Sequence, residues 1–171
     1  PKYFSMALKF SNSQEFLNKL QLYINAFIAV PMLGFIVLFL RIENRTYNPD
    51  YLNEGITFYL RFIMLAAILV FIVSGLVFSK RIRSNLDQNM SIRDKLDVYY
   101  KAAMNRAYFF LGATVLALIG LTLTAEQFYV IYYTICLVAF SITYPTIFRI
   151  NRELKLNREE REVIISRKKI K

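Results

Sequence analysis

From Ala107 to Phe148 the chain runs for 42 residues with one charged side chain, Glu126. As a single α-helix this stretch would be about 63 Å long at 1.5 Å per residue. The hydrocarbon core of a bilayer is about 30 Å thick and takes roughly 20 residues of helix. The stretch therefore reads as two membrane spans joined by a turn, and the turn is expected around Glu126. Thr124-Ala125-Glu126-Gln127 fits a capping box, with Thr124 capping the fourth helix and Gln127 reaching back to it. Glu126 then falls in the first helical turn, where the helix dipole favours an anion. Gly120 is the expected end of the third helix. No cation lies near Glu126 in the sequence, so it reads as a turn residue at the membrane surface rather than an ion-binding carboxylate.

Two further apolar runs precede it. Leu20 to Leu40 lies between Lys19 and Arg41. Phe62 to Ser79 extends outward to about Thr57 if Arg61 snorkels to the interface. The first run is too long for the apolar part of a cleaved signal, and no small-x-small pattern follows it, so it is expected to be a retained span. The spans are thus placed at about 20–40, 57–79, 107–123 and 125–148, in one domain covering 1–171. Residues 80–106 form a loop and 149–171 a tail.

Orientation follows from charge. Of the 22 Lys and Arg residues, 19 fall in the N-terminal segment, the 80–106 loop and the tail, and three, Arg41, Arg45 and Arg61, fall on the other side. Cytoplasmic segments carry the excess of Lys and Arg. The expected fold is an all-α integral membrane protein of four transmembrane helices, with cytoplasmic helical extensions and both termini in the cytoplasm. The bacterial cytoplasmic (inner) membrane is the expected location. The same asymmetry accounts for the net charge of +10 without nucleic acid, for which no recognition module is visible. Tyr23, Tyr108 and Tyr144 would form an inner aromatic belt, and Tyr59, Tyr129, Tyr132 and Tyr133 an outer one.

Outside the spans, Ser11 and Gln14 have capping-box spacing, and Phe16, Leu20, Tyr23, Ile24 and Phe27 recur at helical spacing. An interfacial helix running on into the first span is expected. Ser91-Ile92-Arg93-Asp94 is another cap-like start. The stripe Leu96, Tyr99, Tyr100, Ala103 and Ala107 then needs a cover, from the N-terminal helix, the C-terminal tail or a partner protein. In the tail, Lys155 with Glu159 and Arg158 with Glu162 have the spacing of weak helical ion pairs.

Function is read mainly by exclusion. The chain has no His, which removes imidazole haem ligation, His-based zinc motifs and His general-base chemistry. Its single Cys, Cys136, rules out an intrachain disulfide. No metal, cofactor or catalytic constellation is expected. Asn25 is the most polar side chain inside a span and is expected to bond a neighbouring helix. Pro31 and Pro145 should kink the first and fourth spans, with the fourth helix continuing into the tail. Lys80, Arg81, Arg83, Arg167, Lys168 and Lys169 are candidate contacts for anionic lipid. The leading expectation is a non-catalytic subunit or assembly protein of a larger membrane complex, whose partners are lipid and other membrane subunits. A self-associating channel or transporter, with Asn25 and the Pro31 to Gly34 break on its path, comes second. A membrane-surface enzyme using Asp87, Asp94 and Asp97 comes third.

Overall fold

The computed structural model describes residues 13–47, 49, 53–84, 86, 90–154, 156, 157 and 160–162. Among these, every regular element is an α-helix: α1 (Ser13–Glu43), α2 (Glu54–Ser84), α3 (Ile92–Thr124), α4 (Phe128–Thr143) and α5 (Ile147–Glu153). Three of them, α1 to α3, are long and apolar enough to cross a membrane, and α4 with α5 would make a fourth crossing, bent by 74°.

α3 is the hub, and its sequence explains why. Ala103, Ala107, Ala113, Ala117 and Gly120 are all buried along it. Small side chains let neighbouring helix backbones approach closely. On one flank, α2 presents a single stripe, Ile68, Ile72, Gly75 and Ser79, spaced by four, three and four residues as one helix face requires. A Cβ on Gly75 would stand 2.8 Å from the Cβ of Phe109, closer than side chains tolerate, so glycine sets this crossing. On another flank, α1 buries Phe16, Leu17, Leu20 and Ile24 near its start, and Pro31 further along. α4 covers α3 with Tyr129, Tyr132, Tyr133, Cys136 and Phe140. Phe140 meets Phe110 edge-on at 5.2 Å, and Tyr133 stacks on Phe35 of α1 at 4.2 Å.

The two ends of the molecule are tied differently. At one end the start of α1, the end of α2, the start of α3 and α5 meet. Phe16 lies edge-on to Tyr100, and Lys95 pairs with Glu160 at 2.6 Å. Phe16, Leu20, Leu96, Tyr99, Ala103, Ile150, Leu154 and Leu156 belong to one buried cluster. The apolar stripe at the start of α3 is thus covered by the chain's own α1 and the residues around α5. At the other end, the Tyr47 hydroxyl donates to Thr122 O at 2.8 Å, and Arg61 pairs with Glu126.

Several local expectations give way to other physics. α3 does not stop at Gly120. It runs on to Thr124, where Ala125 adopts a left-handed conformation (φ 53°) and its N–H closes on Leu121 O. Gly120 is needed for space instead: a Cβ there would penetrate the ring of the wholly buried Tyr129. The capping box is replaced as well. The Thr124 hydroxyl donates back to Gly120 O and accepts from Glu126 N–H, while Gln127 sits at the start of α4 with helical dihedrals and makes no side-chain cap. Tyr129, Tyr132 and Tyr133 face inward rather than forming a belt, because α4 turns its aromatic face onto the small-residue face of α3. Ser91 does cap α3, accepting from Asp94 N–H at 3.2 Å. Ser11 and the pairs proposed through Lys155, Arg158 and Glu159 lie outside the described residues.

Gly120→Ala should force Tyr129 out of its slot and lower stability by about 1–3 kcal/mol, the usual cost of overpacking. Thermal unfolding of the purified variant checks this, and Gly120→Ala combined with Tyr129→Leu should recover much of the loss.

Candidate functional site

The most polar part of the interior is the elbow between α4 and α5. Its cause is local. Tyr144 precedes Pro145, and a residue before proline is pushed out of helical conformation. Tyr144 accordingly has ψ 133° and ends α4. Thr146 then caps α5, its hydroxyl accepting from Arg149 N–H at 3.3 Å. Proline therefore breaks the fourth apolar segment in two with the 74° bend, where a continuing kinked helix was expected.

A helix end leaves its last carbonyls without helical partners. Here side chains of α3 and α5 supply two of them, and one from α1 serves the linker that follows. Arg106 of α3 donates to Thr143 O at 2.9 Å. Arg149 of α5 donates from Nη1 to Ile142 O. Gln21 of α1 donates to Pro145 O at 2.9 Å. Cations are also favoured at this end of a helix by its dipole. Arg149 Nε donates onward to Glu153 Oε1 at 2.6 Å, Glu153 Oε2 pairs with Arg83 of α2, and Arg83 Nε donates to Ser79 O at 3.2 Å. Asn25 joins from α1, accepting from the Tyr144 hydroxyl at 3.1 Å. One broken helix end thereby gathers residues from α1, α2, α3 and α5.

Arg106 is 3% exposed and lies just before the long apolar run. Beside it, Ile24, Ala103, Ala107, Phe110, Phe140 and Thr143 line a small cavity of about 10 Å³, about the space one water needs. Tyr99 is buried nearby, and its hydroxyl has no hydrogen-bond partner among the described residues. Burial, reinforced by the Glu153 carboxylate, pushes the Tyr99 phenol up to about 12. On the outer side of the elbow, Ser141, Ile142, Tyr144, Thr146, Phe148, Arg149 and Arg152 line an open pocket of about 480 Å³.

The residues singled out in the sequence fall as follows. Pro31 is buried inside an unbroken α1. Glu126 does have a cation, supplied from 65 residues away: Arg61 donates from Nε at 3.1 Å and from Nη2 at 2.5 Å, and its guanidinium lies 3.9 Å from the centre of the Phe128 ring. Lys80 and Arg81 are exposed, whereas Arg83 turns inward to Glu153. Asp94 bonds the Ser91 cap, and Asp97 is held above its ordinary pKa by burial, with Lys101 and Arg93 opposing. These two acids serve separate local roles and build no shared centre. Asp87, Arg167, Lys168 and Lys169 lie outside the described residues. Among the described residues no group of His, Cys, Asp and Glu is placed to hold a metal. Arg106, Arg149 and Glu153 were missed, although Pro145 followed by an arginine and a glutamate four apart was a usable signal.

No protein-family model matches the chain, and no curated protein or solved structure matches it either.

Two outcomes test the elbow. Glu153→Gln removes the carboxylate shared by Arg83 and Arg149, whose side chains are 20% and 17% exposed. Stability should fall by about 2–3 kcal/mol, less than for a fully buried pair, measured by chemical denaturation. The second concerns pH. The folded chain holds the Tyr99 proton to about pH 12, whereas the unfolded chain releases it near pH 10. Tyr99's contribution is intact below about pH 10 and is lost as pH rises towards 12. Tyr99→Phe should therefore move alkaline unfolding, followed by circular dichroism, to higher pH.

Proposed function

We propose that the chain is a multi-pass membrane protein of four spans with both ends in the cytoplasm, and that it serves as a non-catalytic subunit or assembly partner of a larger membrane complex. The observation that carries this reading is how bare α1 and α2 are. Beyond Ile24 and Pro31, α1 exposes Val30, Leu33, Ile36, Val37 and Leu40. α2 exposes Phe58, Phe62, Ile63, Val70, Val73 and Val77. Each of these helices packs chiefly on α3 and leaves its outer face free.

In water, apolar surface on this scale would drive association. In a bilayer it is at home, and it offers two separate faces for other spans. Helix association in lipid depends on packing and polar contacts rather than on the hydrophobic effect. The long apolar faces thus suit lipid along most of their length and a partner helix at a few positions. The charge asymmetry supports the cytoplasmic assignment, because the N-terminal segment, the 80–106 loop and the tail carry 19 of 22 basic residues.

The test has two parts. Single cysteines placed at residues 44 and 90, in a Cys136→Ser background, are labelled in intact cells with a membrane-impermeant reagent. Residue 44 should react and residue 90 should not; the reverse pattern, or a chain soluble without detergent, overturns the topology. Mild-detergent purification of the full chain should then recover unrelated membrane subunits in fixed ratio. A pure homo-oligomer would favour the self-associating channel instead.

A further inference from the structure

We propose that the pocket on the outer side of the elbow is a binding site for the phosphate headgroup of an anionic phospholipid. The proposal rests on the membrane reading above. The elbow stands where the apolar segment α4 ends and the chain turns through 74° into α5. In a bilayer that is the depth of the headgroups on the cytoplasmic side, where anionic lipids attract basic side chains.

The pocket has the chemistry such a ligand needs. Its volume is about 480 Å³, and Arg149 and Arg152 both line it, together with Ser141, Tyr144 and Thr146. Guanidinium groups match phosphate oxygens with two parallel donors, and the Ser141 and Thr146 hydroxyls add further ones, that of Tyr144 being given to Asn25. Charge is in excess here. Arg83 and Arg149 share the single carboxylate of Glu153, Arg106 is occupied by a neutral carbonyl, and Arg152 is exposed and makes no ion pair among the described residues. Among the described residues of the elbow, these four arginines against Glu153 sum to +3. Arg149 is already fixed by Ile142 O and Glu153, so it presents its charge without freedom to lose. Arg152 is the free member of the pair.

The apolar half of a lipid is matched too. Phe148 lines the same pocket and is 88% exposed, a costly arrangement for a large aromatic ring in water. Ile142, 68% exposed, lies on the α4 side of the pocket. A phosphate at the arginines would place the upper part of an acyl chain against these two residues. This site uses α5 and the end of α4, and is distinct from Lys80 and Arg81, which are exposed near the end of α2.

The experiment uses the full chain in mild nonionic detergent, incubated with equal amounts of phosphatidylglycerol and phosphatidylcholine, with retained lipid counted by native mass spectrometry. The wild-type protein should hold phosphatidylglycerol in preference, and Arg152→Gln should reduce that preference about fivefold, the order expected for one cation at an anionic membrane surface. Arg41→Gln, at the opposite end of α1, should leave it unchanged. A photoreactive phosphatidylglycerol should label the peptide carrying Phe148 in the wild type. Equal retention of the two lipids, an Arg152→Gln protein of native helix content that keeps the preference, or labelling confined to other peptides would overturn the site. Those results leave the membrane reading standing, whereas a chain recovered in aqueous buffer without detergent removes both.

Discussion

A helix that ends among apolar neighbours must find donors for its last carbonyls, and the rest of this molecule is arranged around that need. Pro145 breaks the fourth apolar segment, and Thr143 O, Ile142 O and Pro145 O then receive Arg106, Arg149 and Gln21. Unpaired backbone groups cost several kcal/mol each in a medium without water. Satisfying them with arginines raises a second problem, since buried cations need counter-charge. Glu153 answers it by bridging Arg149 and Arg83. Each solution recruits another helix, so one proline ends by specifying how α1, α2, α3 and α5 meet.

The opposite end works on a simpler scheme. A left-handed Ala125 reverses the chain in three residues, and Arg61 crosses from α2 to hold Glu126. Between the ends, α3 spends its small residues on close contact and leaves α1 and α2 with one buried stripe each. The outcome, among the described residues, is a chain whose interhelical polar contacts gather at its two ends and whose close packing follows one central helix, with open apolar flanks between.

The helices were largely legible in the sequence. Their length and hydropathy decide them, and Ser91 and Asp94 announce the start of α3 without ambiguity. What escaped was tertiary. Gly120 carries the residue type of a helix end, but the buried ring of Tyr129 claims it for space, and only the packed structure reveals that competition. Thr124 and Gln127 have capping-box spacing, yet the hydroxyl bonds backward because α3 continues. Glu126 looked isolated because its partner lies 65 residues away. Arg106 looked like one more loop cation, since nothing local distinguishes it from Lys101. Pro145 was seen, but its consequence was underestimated: with a tyrosine before it and a threonine cap after it, it redirects the chain instead of bending it.

α4 has only 16 residues, which rise roughly 24 Å, some 6 Å less than a typical hydrocarbon core. A short crossing draws the lipid surface towards it rather than leaving polar groups in oil. On the membrane reading proposed above, the bilayer would therefore dimple inward around the elbow and admit water to Arg149 and Arg152, while α2, with 31 residues, would span its full thickness alongside. Such a slope from thin to thick across one small protein would make its fit depend on the membrane it occupies, and neighbours able to share the depression would be drawn to that side.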